Sequence, residues 1–287
     1  MNVRHSMSST DTRLSAALHH IAIGSPDPAA LAAWHSSAMG LKLTETASGI
    51  LGRGRGRRLI FTSGQQKTLA YAAFAVSNEV QVRQLAARLK KNDWPIEPIT
   101  EDPFFQPGGL SVRDPDGNEI RFGIGLEDNE PHEEGLLGRL QHVVVASRQS
   151  HRLSSFYQNV LGFTLSDNVI DDTGEIKTAF LRCSSEHHAF AVFQASSDRF
   201  DHHCYEAGDW SLIREWGDHF AALNVKVEWG PGRHGPGNNL FLFVHDLDGN
   251  WLEISAELEI VAEGRPVGIW PLAERTLNLW GTGLLRK

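Results

Sequence analysis

Two long stretches of the chain share one order of apolar and polar positions. The segment LHHIAIGSPDPAALAAWHSSAMGLKL (residues 18–43) aligns without a gap with LQHVVVASRQSHRLSSFYQNVLGFTL (residues 140–165), at an offset of 122. Each starts with a short β-branched run typical of a strand, continues into a helix, and reaches a glycine before a second strand. VRDPDGNEIRF (residues 112–122) likewise matches VHDLDGNWLEI (residues 244–254) at an offset of 132. The pattern predicts two similar halves whose loops differ in length.

A weaker repeat lies within each half. YAAFAVSNEVQVRQLAARLKKNDW and DHHCYEAGDWSLIREWGDHFAALNV again favour a strand and then an amphipathic helix, before a Gly/Pro loop and two strands joined by D-x-D-G-N. We therefore predict four modules, each a strand, a helix and about three more strands, and an α+β class. The predicted parts are a disordered arm (1–16), an N-terminal domain (17–125), an acidic linker (126–137), a C-terminal domain (138–258) and a tail (259–287).

Composition and charge narrow the function classes. The formal net charge of −8 over 287 residues argues against nucleic-acid binding, which needs a basic surface. No apolar stretch reaches the roughly 18–20 residues of a membrane helix, and the polar N-terminus does not resemble a signal peptide. Two cysteines, Cys183 and Cys204, form neither a disulfide framework nor a CxxC metal motif. These features predict a cytoplasmic protein without a membrane partner.

The turn in HDLDGN predicts which residues face each other across the last hairpin. A three-residue loop that ends in a left-handed glycine pairs Asp246 with Asn250, and therefore Phe243 with Glu253. The surrounding residues, FLFVHDLDGNWLEIS, indicate well-buried strands. A carboxylate there needs a partner, because burying an unpaired charge is very costly.

Histidines supply candidate partners for this carboxylate. His142 in LQHVVVA and His203 in FDHHCYE lie at equivalent points of successive modules, so both rings can point into one cavity if the modules pack as a pair. Either histidine alone is better interpreted as a core or edge histidine satisfied by a hydrogen bond. Together with Glu253 they would form a facial triad of two imidazoles and one carboxylate, which suits non-haem Fe(II) and O2 chemistry.

LQHVVV, FDHHCYE, GPGRHGPGNN and DLDGNWLEIS, in this order, resemble the second domain of type I extradiol ring-cleavage dioxygenases of the vicinal oxygen chelate superfamily. The resemblance implies the vicinal oxygen chelate fold, with four βαβββ modules in two domains. It implies that His142, His203 and Glu253 bind Fe(II), with Mn(II) as an alternative. A small aromatic diol and O2 would be the substrates, in a homo-oligomer.

The resemblance also assigns roles around the metal. His234 matches an acid–base histidine, and the Gly/Pro-rich loop around it allows a close approach of the backbone. His188 in EHHAFAV matches another active-site histidine, with neighbouring His187 as the alternative. Phe243 replaces a common active-site tyrosine, and we hypothesise that Tyr205 supplies the missing hydroxyl.

Three tryptophans bear on the substrate and on the tail. Trp229 stands where some family members carry an arginine for a substrate carboxylate, which favours an apolar or aryl-substituted catechol; plain packing of the indole is the alternative. Trp270 and Trp280 belong to a tail that covers either the site or a subunit contact.

The first half lacks most of the predicted ligand set. His20 occupies the place of His142, but Arg121 stands where Glu253 does, and no histidine matches His203. We therefore predict a metal-free N-terminal domain. Two alternatives for the whole chain remain open: a metal-dependent lyase or isomerase without O2 chemistry, and a non-catalytic binding protein.

Overall fold

A computed structural model describes residues 13–127 and 135–284 of the chain. Residues 1–12 of the predicted arm, 128–134 of the predicted linker and 285–287 of the predicted tail lie outside the described residues. The described end of the arm is ordered, because the amides of Leu14 and Ala16 donate hydrogen bonds to the carbonyls of Gly162 and Cys183. None of the described helices is long and apolar enough to span a bilayer.

The first half forms one sheet of eight strands, in the order β2-β3-β4-β1-β5-β8-β7-β6 once they are numbered along the chain. The strands are β1 (Ala17–Ser25), β2 (Lys42–Thr46), β3 (Gly49–Gly54), β4 (Arg57–Ser63), β5 (Thr68–Ala75), β6 (Glu97–Pro98), β7 (Leu110–Arg113) and β8 (Glu119–Gly123).

The second half repeats this arrangement and adds one strand from the tail. The strands are β9 (Arg139–Ser147), β10 (Thr164–Ile170), β11 (Ile176–Arg182), β12 (Phe190–Gln194), β13 (Arg199–Gly208), β14 (Val227–Arg233), β15 (Leu240–His245), β16 (Trp251–Ala256) and β17 (Gly268–Pro271). Their order in the sheet is β14-β15-β16-β13-β9-β12-β11-β10-β17.

Each module contains one helix after its first strand, and the tail contains a short one. The helices are α1 (Pro28–Met39), α2 (Glu79–Lys91), α3 (Ser150–Phe156), which continues as a π-helical turn (Tyr157–Leu161), α4 (Trp210–Ala222) and α5 (Glu274–Leu277). Local sequence explains the limits of α4 and α1. The side chain of Asp209 accepts the amides of Ser211 and Leu212 at the start of α4, and Gly40 ends α1 in the left-handed region.

The modules pack in pairs, as the repeat predicts. The first strands of paired modules lie side by side and antiparallel, β1 with β5 and β9 with β13. The last strand of each module runs parallel to its first, so β16 flanks β13 and β12 flanks β9. The predicted α+β class and the four-module fold are confirmed. This pairing brings β9, β13 and β16 together, where the candidate metal ligands lie.

Candidate metal centre

Strand register determines which side chains of the second half share a face. Phe243 pairs with Glu253 across the last hairpin, which confirms the register predicted from the turn. Cys204 on β13 pairs with His142 on one side and with Glu253 on the other. Paired residues point to the same side of a sheet and alternate residues share a face. The side chains of His202 and Cys204 therefore accompany His142 and Glu253.

The histidine of β13 that reaches this face is His202. Nε2 of His142 lies 3.2 Å from Oε2 of Glu253, and Nε2 of His202 lies 3.3 Å from the same oxygen. The prediction that His203 converges with them is wrong, because its ring lies on the opposite face of β13, beside His35. In FDHHCYE both faces of the strand are buried, so the phase of the two adjacent histidines is not visible in the apolar pattern.

Neighbouring side chains orient both imidazoles. Nδ1 of His142 lies 2.5 Å from Oε1 of Gln141, whose amide nitrogen donates to the carbonyl of His188. Nδ1 of His202 lies 2.6 Å from a carboxylate oxygen of Asp201. Each acceptor fixes the proton on Nδ1 and leaves the lone pair of a neutral ring on Nε2. Both Nε2 atoms therefore present ligand lone pairs to Glu253.

This donor set fits a divalent cation. Lone pairs that face a carboxylate at hydrogen-bonding distance repel it unless a positive charge lies between them. Burial alone would raise the pKa of Glu253, but contacts with His142, His202 and His234 hold it well below its usual value. Burial alone would lower the pKa of His202, but the carboxylates of Asp201 and Glu253 raise it. Both directions show that the electrostatics of the site favour positive charge beside Glu253.

His234 lies beside the ligands without belonging to the closest group. Its Nε2 is 3.6 Å from Oε1 of Glu253, and its ring stacks on Phe241 with centroids 4.0 Å apart. Its Nδ1 lies 2.5 Å from the carbonyl oxygen of Leu277 in the tail. The carbonyl only accepts, so Nδ1 carries the proton and Nε2 of the neutral ring is free to take one.

Of the two adjacent histidines that follow β11, His188 lines the cavity and His187 does not. His188 lines the cavity, and its ring centroid is 4.3 Å from that of His142. Burial lowers the pKa of His188 well below its usual value, so this ring is neutral. His187 does not line the cavity, and its Nε2 lies 3.1 Å from a carboxylate oxygen of Asp167. The alternative that His187 faces the substrate is therefore wrong.

His142, His202 and Glu253 line a cavity of about 190 Å³. Trp229 and Phe243 stack in one wall with centroids 5.1 Å apart. The tail contributes three leucines to the lining, and the carbonyl of Thr282 accepts a hydrogen bond from the Trp229 indole. The described apolar lining residues are Val144, Phe180, Ala191, Phe193, Trp229, Pro236, Phe243, Leu272, Leu277 and Leu284.

The structure also locates Trp270 and Trp280 of the tail, and Tyr205 of β13. The indole of Trp270 donates to Asp167 at 2.8 Å and so helps to anchor the tail, whereas Trp280 is half exposed and lies near Arg233. Tyr205 is fully buried and its hydroxyl lies 3.0 Å from Nδ1 of His203. The hypothesis that it supplies a hydroxyl to the cavity is wrong, because it shares the outer face of β13 with His203.

Three residues of the site escaped the sequence reasoning. Gln141 and Asp201 each precede a ligand histidine and hold its Nδ1, and Asn239 donates to Glu253 at 3.2 Å. Gln141 and Asp201 could have been found from the sequence, because each is a polar residue directly before a histidine in an apolar strand. Asn239 follows a Gly/Pro loop and carries no comparable signal.

Comparison with known proteins agrees with this architecture. The model of the Glyoxalase/Bleomycin resistance protein/Dioxygenase superfamily matches residues 17–122 and 139–254. Metapyrocatechase 2 of Cupriavidus necator is 27% identical over 250 residues, which cover 77% of this chain and 74% of that protein. Biphenyl-2,3-diol 1,2-dioxygenase of Paraburkholderia xenovorans (strain LB400) is 29% identical over 167 residues, 52% of this chain and 55% of that protein.

A solved structure supports the same fold. Homoprotocatechuate 2,3-dioxygenase from Brevibacterium fuscum, in an anaerobic complex with 3,4-dihydroxyphenylacetate, superposes with a TM-score of 0.80 at 23% identity, covering 94% of this chain and 89% of that one. The family model matches both halves and most of the chain. The chain therefore belongs to the Glyoxalase/Bleomycin resistance protein/Dioxygenase superfamily.

Proposed function

We propose that the chain is an extradiol dioxygenase, which opens the ring of a catechol beside its diol with O2 as the second substrate. The observation that carries this proposal is the convergence of His142, His202 and Glu253 in the lining of a largely apolar cavity. The family membership and the names of the two curated relatives support it.

We propose Fe(II) as the metal, held by His142, His202 and Glu253, with Mn(II) as an alternative because the same ligands serve both ions. Two imidazoles and one carboxylate leave several coordination positions open. Bound Fe(II) would supply Lewis acidity toward the diol and redox chemistry toward O2. The contacts of Gln141 and Asp201 with the ligand rings would maintain ligand orientation.

We propose that His234 exchanges protons with the diol. Its Nε2 accepts a proton from a catechol hydroxyl, while the Leu277 carbonyl holds the Nδ1 proton and the orientation of the ring. His188, whose ring lies beside that of His142, is neutral and offers a polar atom without introducing a charge. Leucines of the tail cover the cavity and limit the access of water to the reacting ring.

The lining favours a catechol with an uncharged, apolar substituent. The stacked rings of Trp229 and Phe243 both line the cavity. Lys177 is the one lysine or arginine among the described lining residues, and it already pairs with Asp171 at 3.1 Å and Glu175 at 2.6 Å. An acidic substituent would therefore find no unpaired cation in this wall and would lose solvation.

An oxygen-uptake assay tests this function. Protein purified without O2 and loaded with Fe(II) is mixed with catechol, 2,3-dihydroxybiphenyl and 3,4-dihydroxyphenylacetate, with metal content measured on the same sample. We expect one O2 consumed per ring opened, a yellow product, and a kcat/KM at least about tenfold higher for the aryl than for the acidic substrate. Stoichiometric metal without O2 uptake would instead indicate a lyase or isomerase. Absence of stoichiometric metal would indicate a binding protein.

A further inference from the structure

A second cluster of metal-ligand side chains lies between the two halves, on the face of β13 opposite His202. It consists of His35 from α1 of the first half, and His203 and Asp246 from the second half. One ligand atom of each lies within 4.8 Å of the other two, and all three residues are buried. We propose that this cluster is a structural site for a divalent metal of the Zn(II) class, which joins the two halves.

The spacing of the closest pair suits a shared ion. Nε2 of His35 and Oδ2 of Asp246 are 3.3 Å apart. Two ligand atoms at about 2.0–2.2 Å from one tetrahedral Zn(II) lie roughly 3.3–3.5 Å from each other. The other oxygen of Asp246 accepts the amides of Asp248 and Asn250. These hydrogen bonds orient the carboxylate before any ion binds.

His203 supplies the third donor. Its Nδ1 lies 3.0 Å from the hydroxyl of Tyr205, so the nitrogen that remains for a ligand is Nε2. That Nε2 is buried and has no hydrogen-bond partner among the described residues. A buried polar atom without a partner destabilises the fold, because it has lost its hydrogen bonds to water. A metal ion on Nε2 removes this cost, while the Tyr205 oxygen accepts the Nδ1 proton as metal-bound histidines require.

The matching contact on the other side of the molecule shows that the fold does not need two histidines here. Asp114 lies 132 residues before Asp246, and Tyr157 lies 122 residues after His35. The hydroxyl of Tyr157 donates to Asp114 at 3.2 Å, which satisfies both groups. The strand residue equivalent to His203 is Ala72, by the register of β5 with β1 and β8. Of these two equivalent contacts, only the one at His35 brings three metal-ligand side chains together.

Metal content in a background without the catalytic centre tests the proposal. Full-length Glu253→Gln protein is incubated with Zn(II), passed over a desalting column, and analysed for metal per chain and for melting temperature. We expect one Zn(II) per chain, and a melting temperature that Zn(II) raises by roughly 5 °C or more. Adding His203→Gln to this background should abolish both effects, and so should adding His35→Gln.

Tyr157→Phe in the same background is the matched control. It breaks the equivalent contact between the halves, so it should lower the melting temperature and leave one Zn(II) in place. A Glu253→Gln protein that retains no Zn(II), or a double variant that retains it, would overturn the proposal. If the double variants do not fold, the position of the Zn(II) anomalous-scattering peak in crystals of the Glu253→Gln protein decides: a peak at His35, His203 and Asp246 supports the proposal, and a peak at His142 and His202 alone overturns it. Dioxygenase activity is assayed with Glu253 intact, so failure here leaves the proposed function untouched.

Discussion

The two halves place different chemistry on equivalent positions of one scaffold. In the first half, Ala73 pairs with His20 and Arg121. In the second half, Cys204 pairs with His142 and Glu253, so Cys204 is the counterpart of Ala73. Tyr71, two residues before Ala73, is therefore the counterpart of His202. Asp102 lies 132 residues before His234, the offset that also separates Arg121 from Glu253. The carboxylate of the first half, Asp102, thus stands at the position of a histidine in the second half, and the carboxylate of the second half, Glu253, stands at the position of Arg121.

The first half neutralises its own buried charges. Asp102 lies 3.2 Å from Nε2 of His20 and 3.1 Å from Nη1 of Arg121, and the guanidinium lies over the Tyr71 ring at 3.6 Å. Burial alone would raise the pKa of Asp102, but His20, a backbone amide and Arg121 lower it. In the second half, the described residues place three imidazoles around Glu253 and pair no lysine or arginine with it. Arg121 therefore supplies a cation to the buried carboxylate of the first half, whereas the equivalent position of the second half holds Glu253, a carboxylate surrounded by imidazoles.

The largest expected effect comes from removing the carboxylate of the second half. Glu253→Gln should lower metal affinity by more than about a hundredfold, the upper effect of losing an outer-sphere partner, and ring cleavage should fall to background. Arg121→Gln at the equivalent position should leave metal content and turnover within about threefold of those of the unsubstituted protein. Arg121 lies outside the metal centre, so its replacement should act mainly on stability. Metal analysis and O2 uptake on both variants check this, and equal losses in both would refute the comparison.

The next effect separates the adjacent histidines of β13. His202→Gln should release the metal of the His142 and Glu253 centre and abolish turnover, because it removes one of three ligands. His203→Gln should retain that metal and instead lower the free energy of unfolding by about 1–3 kcal/mol. Iron content and urea denaturation of the two variants distinguish them. Iron loss in His203→Gln alone would restore the original ligand assignment.

Replacing the acid–base histidine should slow the reaction without emptying the site. His234→Asn cannot exchange a proton, so we expect kcat to fall by roughly 10²–10³-fold with iron content unchanged. Single-turnover kinetics with measured iron occupancy test this. An unaltered kcat would show that another group moves the proton.

In the first half the same kind of substitution should act on stability. Arg121→Gln leaves buried Asp102 with His20 and backbone amides only, and should lower the free energy of unfolding by about 2 kcal/mol, less than for a fully buried ion pair because the arginine is 20% exposed. Urea denaturation at pH 7 measures this. Glu119→Gln, which weakens the half-exposed ion pairs of Glu119 with Arg121 and Arg113 but leaves Arg121 beside Asp102, is the control and should cost under about 1 kcal/mol.

The smallest effect concerns a carboxylate whose counterpart is Ala75. Burial raises the pKa of Glu206 on β13 to about 7 from an ordinary value near 4.5. The fold thus favours the protonated form, and this contribution to stability is lost as pH rises from about 4.5 through 7. Glu206→Gln should stabilise the protein by about 1–2 kcal/mol at pH 8, allowing for partial exposure, and by much less at pH 4.5. A gain that does not grow with pH would contradict this.

The sequence predicted the parts of the site that strong local rules determine. The D-x-D-G-N turn imposed the pairing of Phe243 with Glu253, and the repeat placed His142 beside β13. The sequence did not predict which residues of β13 share a face, because both faces of this strand are buried. An error of one residue therefore exchanged His202 for His203 and misplaced Tyr205. The hydrogen bond of His234 to the tail and the contact of His35 with Asp246 join residues far apart in the chain, so no local pattern reveals them.

An anomalous-scattering crystal structure of the Fe(II)-loaded protein tests the central claim most directly. We predict an iron peak bounded by Nε2 of His142, Nε2 of His202 and the carboxylate of Glu253, and no iron peak beside Arg121. A peak coordinated by His203, or no peak at Glu253 in a sample with stoichiometric iron, would contradict the account.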